Sequence, residues 1–392
     1  YSLSTLIPQP PVPANYFDLE LAPFSRTPTV DCILNIPTIM TTAPTFFPME
    51  ISTVRVIDRT NPQPPMVREV WKQELADAVR DPVELCDLLN LDSAVAQKSK
   101  KASRDFPFLV PRGFISRMQP GDPNDPLLLQ VLPRLEELDD IPGFVSDPVG
   151  EQAARQGPGL IQKYHGRCLL LVTGGCAVHC RYCFRREFPY AESGASPASF
   201  VDAVNEIRTD KSIHEVILSG GDPLLVDDTL LETLIDDIAS ISHVRRLRIH
   251  TRIPVVLPSR ITEQLLHILN TTRLAACVVI HANHAAELDS VVADSMRRMS
   301  RVVPILLNQA VLLRGVNDTS ESLIQLSEKL LDLGVTPYYL HLLDPVRGAS
   351  HFDVPEETGI RLIEELRNRL PGYAVPRLAR EHPGSPSKTW LA

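Results

Sequence analysis

The sequence predicts an α/β fold built on a parallel sheet, in the form of a partial (β/α)6 barrel, and three observations carry that prediction. Short apolar, β-rich runs alternate with amphipathic segments from Cys168 to Leu370. The units recur at about thirty residues, the length of a strand, a crossover helix and their turns. Polar and glycine-rich clusters fall at the carboxyl ends of the runs, where ligands gather on parallel sheets. A doubly wound open sheet satisfies the same pattern.

Residues 1–48 hold nine prolines and Ser/Thr clusters without a helical or strand period. They read as an extension outside the fold, either a disordered natural segment or a non-native one, with Met49 as an alternative start and no signal peptide. Residues 49–160 read as an N-terminal helical region. Val70, Leu75, Val79, Leu85, Leu88 and Leu89 recur at helical spacing, with a break at Asp81-Pro82. Pro- and Asp-rich connections then run to Tyr164 without strong periodicity. Residues 161–345 carry the barrel, with strands expected at 168–172, 215–219, 246–250, 276–280, 302–307 and 337–342. Helices are expected at 199–208, 229–240, 262–270, 285–299, 320–333 and 356–370. Residues 346–392 add the last of these helices and a Pro/Gly/Ser-rich tail.

A net charge of -9 and a pI near 5.7 argue against nonspecific nucleic-acid binding. No apolar run reaches the length of a membrane span. A cytoplasmic enzyme fits best. Of the seven cysteines, Cys32, Cys86, Cys168 and Cys277 are scattered singly among apolar neighbours, as buried thiols usually are. This suits a reducing compartment without a disulfide framework.

The other three, Cys176, Cys180 and Cys183, form a CxxxCxxC loop just past the first barrel strand. A structural zinc site needs four ligands, whereas three thiolates on a 4Fe-4S cluster leave one iron open for chemistry. A zinc knuckle completed by His179 or a distant residue is the competing reading. The spacing resembles the signature of radical S-adenosylmethionine (SAM) enzymes, which implies SAM chelated at the open iron. The Gly220-Gly221-Asp222 turn, by itself an ordinary strand exit, resembles the motif that holds the amino group of SAM in that superfamily. His250 and Arg252, at the next strand end, join the expected SAM set. Arg185 and Arg186 follow the loop, where one guanidinium could grip a substrate carboxylate through two N–H groups. On a surface they would be a solvated pair.

Longer motifs narrow the resemblance. These are Lys163-Tyr-His-Gly-Arg, Ser219-Gly-Gly-Asp-Pro-Leu, Asn308-Gln-Ala-Val-Leu-Leu-Arg-Gly, Pro337-Tyr-Tyr-Leu-His and the Pro-Ser-Lys-Thr ending around Lys388. From about Glu69 to Leu391 the chain resembles the lysine 2,3-aminomutase family, and within it the branch that makes (R)-β-lysine for elongation factor P. The resemblance implies three cofactors: a 4Fe-4S cluster, SAM and pyridoxal 5'-phosphate (PLP). It implies that Lys388, otherwise a surface lysine, bonds covalently to PLP. Tyr164, Arg167 and Gln309 would contact PLP, with Arg167 on its phosphate. Arg185 would hold the carboxylate of L-lysine, and Asp344 and Glu381 its distal ammonium. Glutamate replaces the family's usual aspartate at Glu381, and Trp390 stands where relatives tend to have proline. The reaction implied is a radical 1,2-amino migration from carbon 2 to carbon 3, with an external electron donor and a separate ligase that attaches β-lysine to elongation factor P. The chain ends four residues after Lys388, without the cysteine-bearing extension of catabolic relatives, and this favours the elongation factor P branch. A catabolic or osmolyte role, another amino-acid substrate, and a noncatalytic iron-sulfur or zinc protein stay open, as does the oligomeric state, a homo-oligomer included.

Overall fold

Parallel strands buried on both faces read as continuous apolar runs, and the segments Cys168–Val172 and Glu215–Ser219 become such strands at the centre of the sheet. The computed structural model describes residues 69–194 and 196–392, which belong to one unit beginning at Pro65. The reading of residues 1–48 lies outside the described residues. Ten strands run in sequence order across one sheet. They are β1 (Arg155–Gly157), β2 (Leu160–Ile161), β3 (Arg167–Thr173), β4 (Glu215–Gly220), β5 (Arg246–Thr251), β6 (Ala275–Ile280), β7 (Ile305–Val311), β8 (Thr336–His341), β9 (Arg377–Arg380) and β10 (Thr389–Trp390). Strands β3 to β9 are parallel, and β1, β2 and β10 are antiparallel additions. The first and last strands do not pair with each other, so the curled sheet is open on one side.

The six expected strands are β3 to β8. Between them, helices make the crossovers that join parallel neighbours. In Asp228–Ala239 the buried residues are Leu231, Leu234, Ile235 and Ile238, the i, i+3, i+4, i+7 stripe of a helix packed on a sheet. Two boundaries and one helix differ from expectation for local reasons. Strand β7 starts at Ile305 because Val302 and Val303 donate their N–H groups to Met299 and close the preceding helix, and Pro304 has no N–H to give. The helix expected from 285 starts at Ser290, where the Asp289 carboxylate caps Val292 N at 2.9 Å. A helix over Ser93–Ala102, capped by Asp92, lies in the stretch without visible period; its buried residues are only Ala96, Ser99 and Ala102.

The N-terminal helices expected around Asp81-Pro82 are Val70–Ala76 and Pro82–Leu88, with Asp81 capping the second. Trp71 ties this region to the barrel: it is buried beneath the guanidinium of Arg260, 4.9 Å from the ring centroid. Arg260 in turn donates to the carbonyls of Leu224 and Val226 just past β4. At the other end, the helix Glu356–Arg369 leads into β9, and the chain turns back as β10. None of the described helices is long and apolar enough to cross a membrane.

Leu218 in β4 is fully buried, whereas Val201 is 65% exposed. Leu218→Ala is expected to lower unfolding free energy by about 2–5 kcal/mol, and Val201→Ala by no more than about 0.5 kcal/mol. Denaturant unfolding of the two variants measures the contrast.

Candidate active site

Side chains alternate along a strand, so every second residue of the curled sheet faces its interior. Arg167, Ser219, Arg248, His250, Gln309 and Tyr339 take such positions and line a cavity of about 970 Å³. Every site residue singled out in the sequence borders this same cavity: Cys176, Cys180, Cys183, Arg185, Gly220, Gly221, Asp222, His250, Arg252, Tyr164, Arg167, Gln309, Asp344, Glu381 and Lys388.

The cysteine loop leaves β3 and is held from outside the barrel. His179 N donates to Leu109 O and Arg181 N to Gln130 O, both at 2.9 Å, so the N-terminal region fixes the loop backbone. Arg181 is fully buried and pairs with Glu137 at 2.5 Å, which also pairs with Arg186 at 2.8 Å. Arg186 is therefore neither a solvated residue nor available to a ligand carboxylate. All three loop cysteines are free and partly buried. Burial and the neighbouring Cys180 push the Cys183 thiol up to about 11, and burial with Cys183 alongside raises Cys176 well above a free thiol. Thiols so placed ionise readily only against metal cations. Three free thiols from one loop border one cavity, a donor set that fits a 4Fe-4S cluster with one iron left open.

The turn after β4 locks onto this loop through absent side chains. A Cβ at Gly220 would lie 2.4 Å from Thr173 O, at a φ of +123°, and one at Gly221 would lie 2.0 Å from Gly175 O. Asp222 N donates to Gly175 O at 2.8 Å. The Asp222 carboxylate accepts from Leu224 N and Thr251 Oγ1 on one oxygen and from Arg252 N and Ile253 N on the other. Burial lifts this acid to about 6 even so. With its acceptor positions used inside the protein, Asp222 shapes the turn, and what the turn can offer a ligand is backbone. His250 is different: burial, then Arg248, keep it neutral, and its buried Nε2 has no partner among the described residues. It is a polar atom facing the cavity that a ligand would satisfy.

Arg185 departs from the sequence expectation. Its Nε and Nη2 pair with both oxygens of Glu151 at 2.7 and 2.6 Å, and Nη1 donates to Ser219 Oγ and Gly220 O. The two-point grip foreseen for a substrate carboxylate is thus occupied by Glu151. One Nη2 hydrogen is left over.

At the opposite end, the tail inserts its charges. Glu381 lies between Lys163 and Lys388, one carboxylate oxygen to each. Burial alone would raise this acid, but the two ammonium groups hold it at about 2. Asp344 is pushed up to about 7 by burial, with Lys388 opposing. The Arg167 guanidinium sits 5.6 Å from the Tyr164 ring centroid and forms no ion pair among the described residues. Trp390 has a physical account here: it pairs with Ala379 across β9 and β10, and Arg377 stacks on its ring at 4.2 Å. Sequence reasoning missed Glu151, Lys163 and Glu287. Lys163 sits in a quoted motif and Glu287 at capping-box spacing from His284, but nothing local marks Glu151.

The open parallel barrel and its three-cysteine loop define a radical SAM enzyme, and residues 170–281 match the radical SAM superfamily. Over 325 residues the chain is 48% identical to the L-lysine 2,3-aminomutase of Escherichia coli strain K12, covering 83% of this chain and 95% of that protein. It is 44% identical to the L-lysine 2,3-aminomutase of Haemophilus influenzae, over 85% of this chain and 99% of that one. Against that of Clostridium subterminale the identity is 34%, over 81% and 77%. The chain belongs to the lysine 2,3-aminomutase family and is an aminomutase.

Gly221→Ala should force the β4 turn off the cysteine loop. Iron and sulfide content after anaerobic reconstitution is expected to fall to a minor fraction of wild type. Gly113→Ala, where a new Cβ meets nothing within 4 Å, should load normally.

Proposed function

We propose that the protein converts L-lysine to β-lysine, moving the amino group from carbon 2 to carbon 3 with a 4Fe-4S cluster, SAM and PLP. The observation that carries this reading is the joint placement, in one cavity, of three unpaired thiols, a lysine on the tail and two acids of different charge state. When bound, the cluster and SAM supply a radical able to remove a hydrogen from an unactivated carbon, and PLP supplies the conjugated system that carries the migrating nitrogen. Cys176, Cys180 and Cys183 would hold the cluster. Gly220 and Gly221 would let backbone approach SAM, with His250 Nε2 as a further partner. Arg167, free of ion pairs among the described residues, suits a phosphate, with Tyr164 and Gln309 beside it and Lys388 as the covalent anchor of PLP.

Substrate selection follows from charge. Glu381 is ionised at any ordinary pH, and Asp344 ionises near neutrality. A cationic side chain gives Asp344 a partner and takes the place of Lys388 beside Glu381 once that lysine is engaged, whereas a neutral one would leave Asp344 either protonated or charged and unpaired, which is costly. The remaining N–H of Arg185 is offered to the substrate carboxylate at one point, while Glu151 keeps the guanidinium fixed. In this reading the described part of residues 49–160 braces the cluster loop, residues 161–345 carry the cavity and residues 346–392 deliver Lys388 and Glu381. The further proposal, resting on the resemblance of the motifs alone, is that the product is (R)-β-lysine, destined for elongation factor P through a separate ligase.

Two outcomes test the residue roles. Lys388→Ala should lose the visible absorbance of lysine-bound PLP while keeping the iron-sulfur spectrum; retained absorbance refutes its assignment. An ammonium group favours the ionised form of Asp344, so below about pH 7 the free site must give up a proton as lysine binds. Affinity should therefore rise with pH up to about 7 and level off above it. Calorimetry on the protein without PLP, in which Lys388 keeps the charge that opposes the rise of Asp344, should show that slope. Asp344→Asn should abolish it and weaken binding by about 30-fold or more, the lower bound of about 2 kcal/mol for truncating a buried charge pair. A pH-independent wild-type affinity contradicts the role of Asp344.

A further inference from the structure

Arg252 was expected at the SAM site, and its side chain is engaged elsewhere. Its Nη1 lies against Cys180 Sγ and Tyr182 Oη, each at 2.6 Å. Its Nη2 donates to Gln130 Oε1 at 2.7 Å and to Glu287 Oε2 at 3.0 Å. Among the described residues, only its Nε lacks a partner. The surroundings leave this guanidinium little freedom. Tyr182 Oη also accepts from Asn283 Nδ2 at 2.8 Å and meets His281 Nε2 at 2.9 Å, so its hydrogen-bonding capacity is filled. Glu287 is fully buried and takes N–H groups from Asn283, His284 and Gln130 besides Arg252. A buried cation is thus fixed against one of the three cysteine sulfurs, with a buried anion behind it.

We infer that Arg252 tunes the reduction potential of the iron-sulfur cluster by donating a charge-assisted hydrogen bond to the Cys180 sulfur, with Glu287 opposing it. Reduction adds one electron, from a low-potential external donor, to the cluster; no bond forms or breaks and no proton moves. The added negative charge spreads onto the cysteine sulfurs. A hydrogen bond and a positive charge at one sulfur stabilise the reduced state, and hydrogen bonds to sulfur are among the levers that set cluster potentials. Glu287 destabilises the same state and partly cancels the guanidinium. The two residues therefore act with opposite sign, which a merely structural pair would not do.

The test is a reductive titration of the anaerobically reconstituted, SAM-free full-length protein, followed by electron paramagnetic resonance of the reduced cluster, for wild type, Arg252→Gln, Arg252→Lys and Glu287→Gln. Arg252→Gln is expected to lower the equilibrium constant for reduction about tenfold, which for a one-electron couple is about 59 mV. Arg252→Lys should fall between it and wild type, and Glu287→Gln should shift the potential upward. Unchanged potentials, or shifts of Arg252→Gln and Glu287→Gln in the same direction, overturn the inference. If Arg252→Gln does not hold a cluster, Glu287→Gln decides alone: an upward shift supports the inference and any other result refutes it. Failure of the wild type to take up iron and sulfide would instead count against the cluster assignment on which the inference rests.

Discussion

One buried carboxylate holds the catalytic end of the barrel together. Asp222 reaches three structural pieces at once. Through its N–H it binds the cysteine loop at Gly175, and through its carboxylate it binds its own turn at Leu224 and the end of β5 at Thr251, Arg252 and Ile253. The distance between the cysteine loop and the β4 exit is set by that contact and by the missing side chain of Gly221. Because Asp222 also fixes the backbone of Arg252, it places the guanidinium that touches Cys180. Such a carboxyl, lifted to about 6 by burial, is held by its donors, and those donors are the strand ends themselves.

The cavity is electrostatically divided. Around the cysteine loop, Arg252 is answered by Glu287 and Arg185 by Glu151, while Arg181 and Arg186 share Glu137. Each cation there is paired within the protein and its geometry is fixed, which suits a region that must hold a cluster rigidly. At the tail end the balance is looser. Glu381 shares two lysines, and Asp344 is poised near neutrality. Charges that can be exchanged for ligand charges lie at that end, and charges that cannot lie at the other. Under the proposed function, this division separates support of a cofactor from recognition of a substrate.

How much of this was legible in the sequence depends on how local each cause is. Buried parallel strands announce themselves as apolar runs, and β3 to β8 were readable for that reason. Strand β9 was not, because only Leu378 and Ala379 are buried between two arginines. The cysteine spacing and the double glycine are local signals and were readable. The partners that decide what Arg185 and Arg252 do are Glu151, Glu287 and Cys180, which lie 34, 35 and 72 residues away along the chain. No spacing rule connects such residues. Position alone therefore suggested ligand contacts for both arginines, where the fold first gives them protein partners. The tail lysine was readable only through family resemblance; its approach to the cavity depends on β10 folding back along β9.

The most direct test of the account is an anaerobic reaction of the reconstituted protein with SAM, PLP, a strong reductant and L-lysine, with products resolved by mass against authentic β-lysine. The account predicts β-lysine, formed only when all three cofactors are present. Cleavage of SAM without β-lysine, in protein verified to carry both cluster and PLP, would contradict the assigned substrate, and absence of both would contradict the radical chemistry itself.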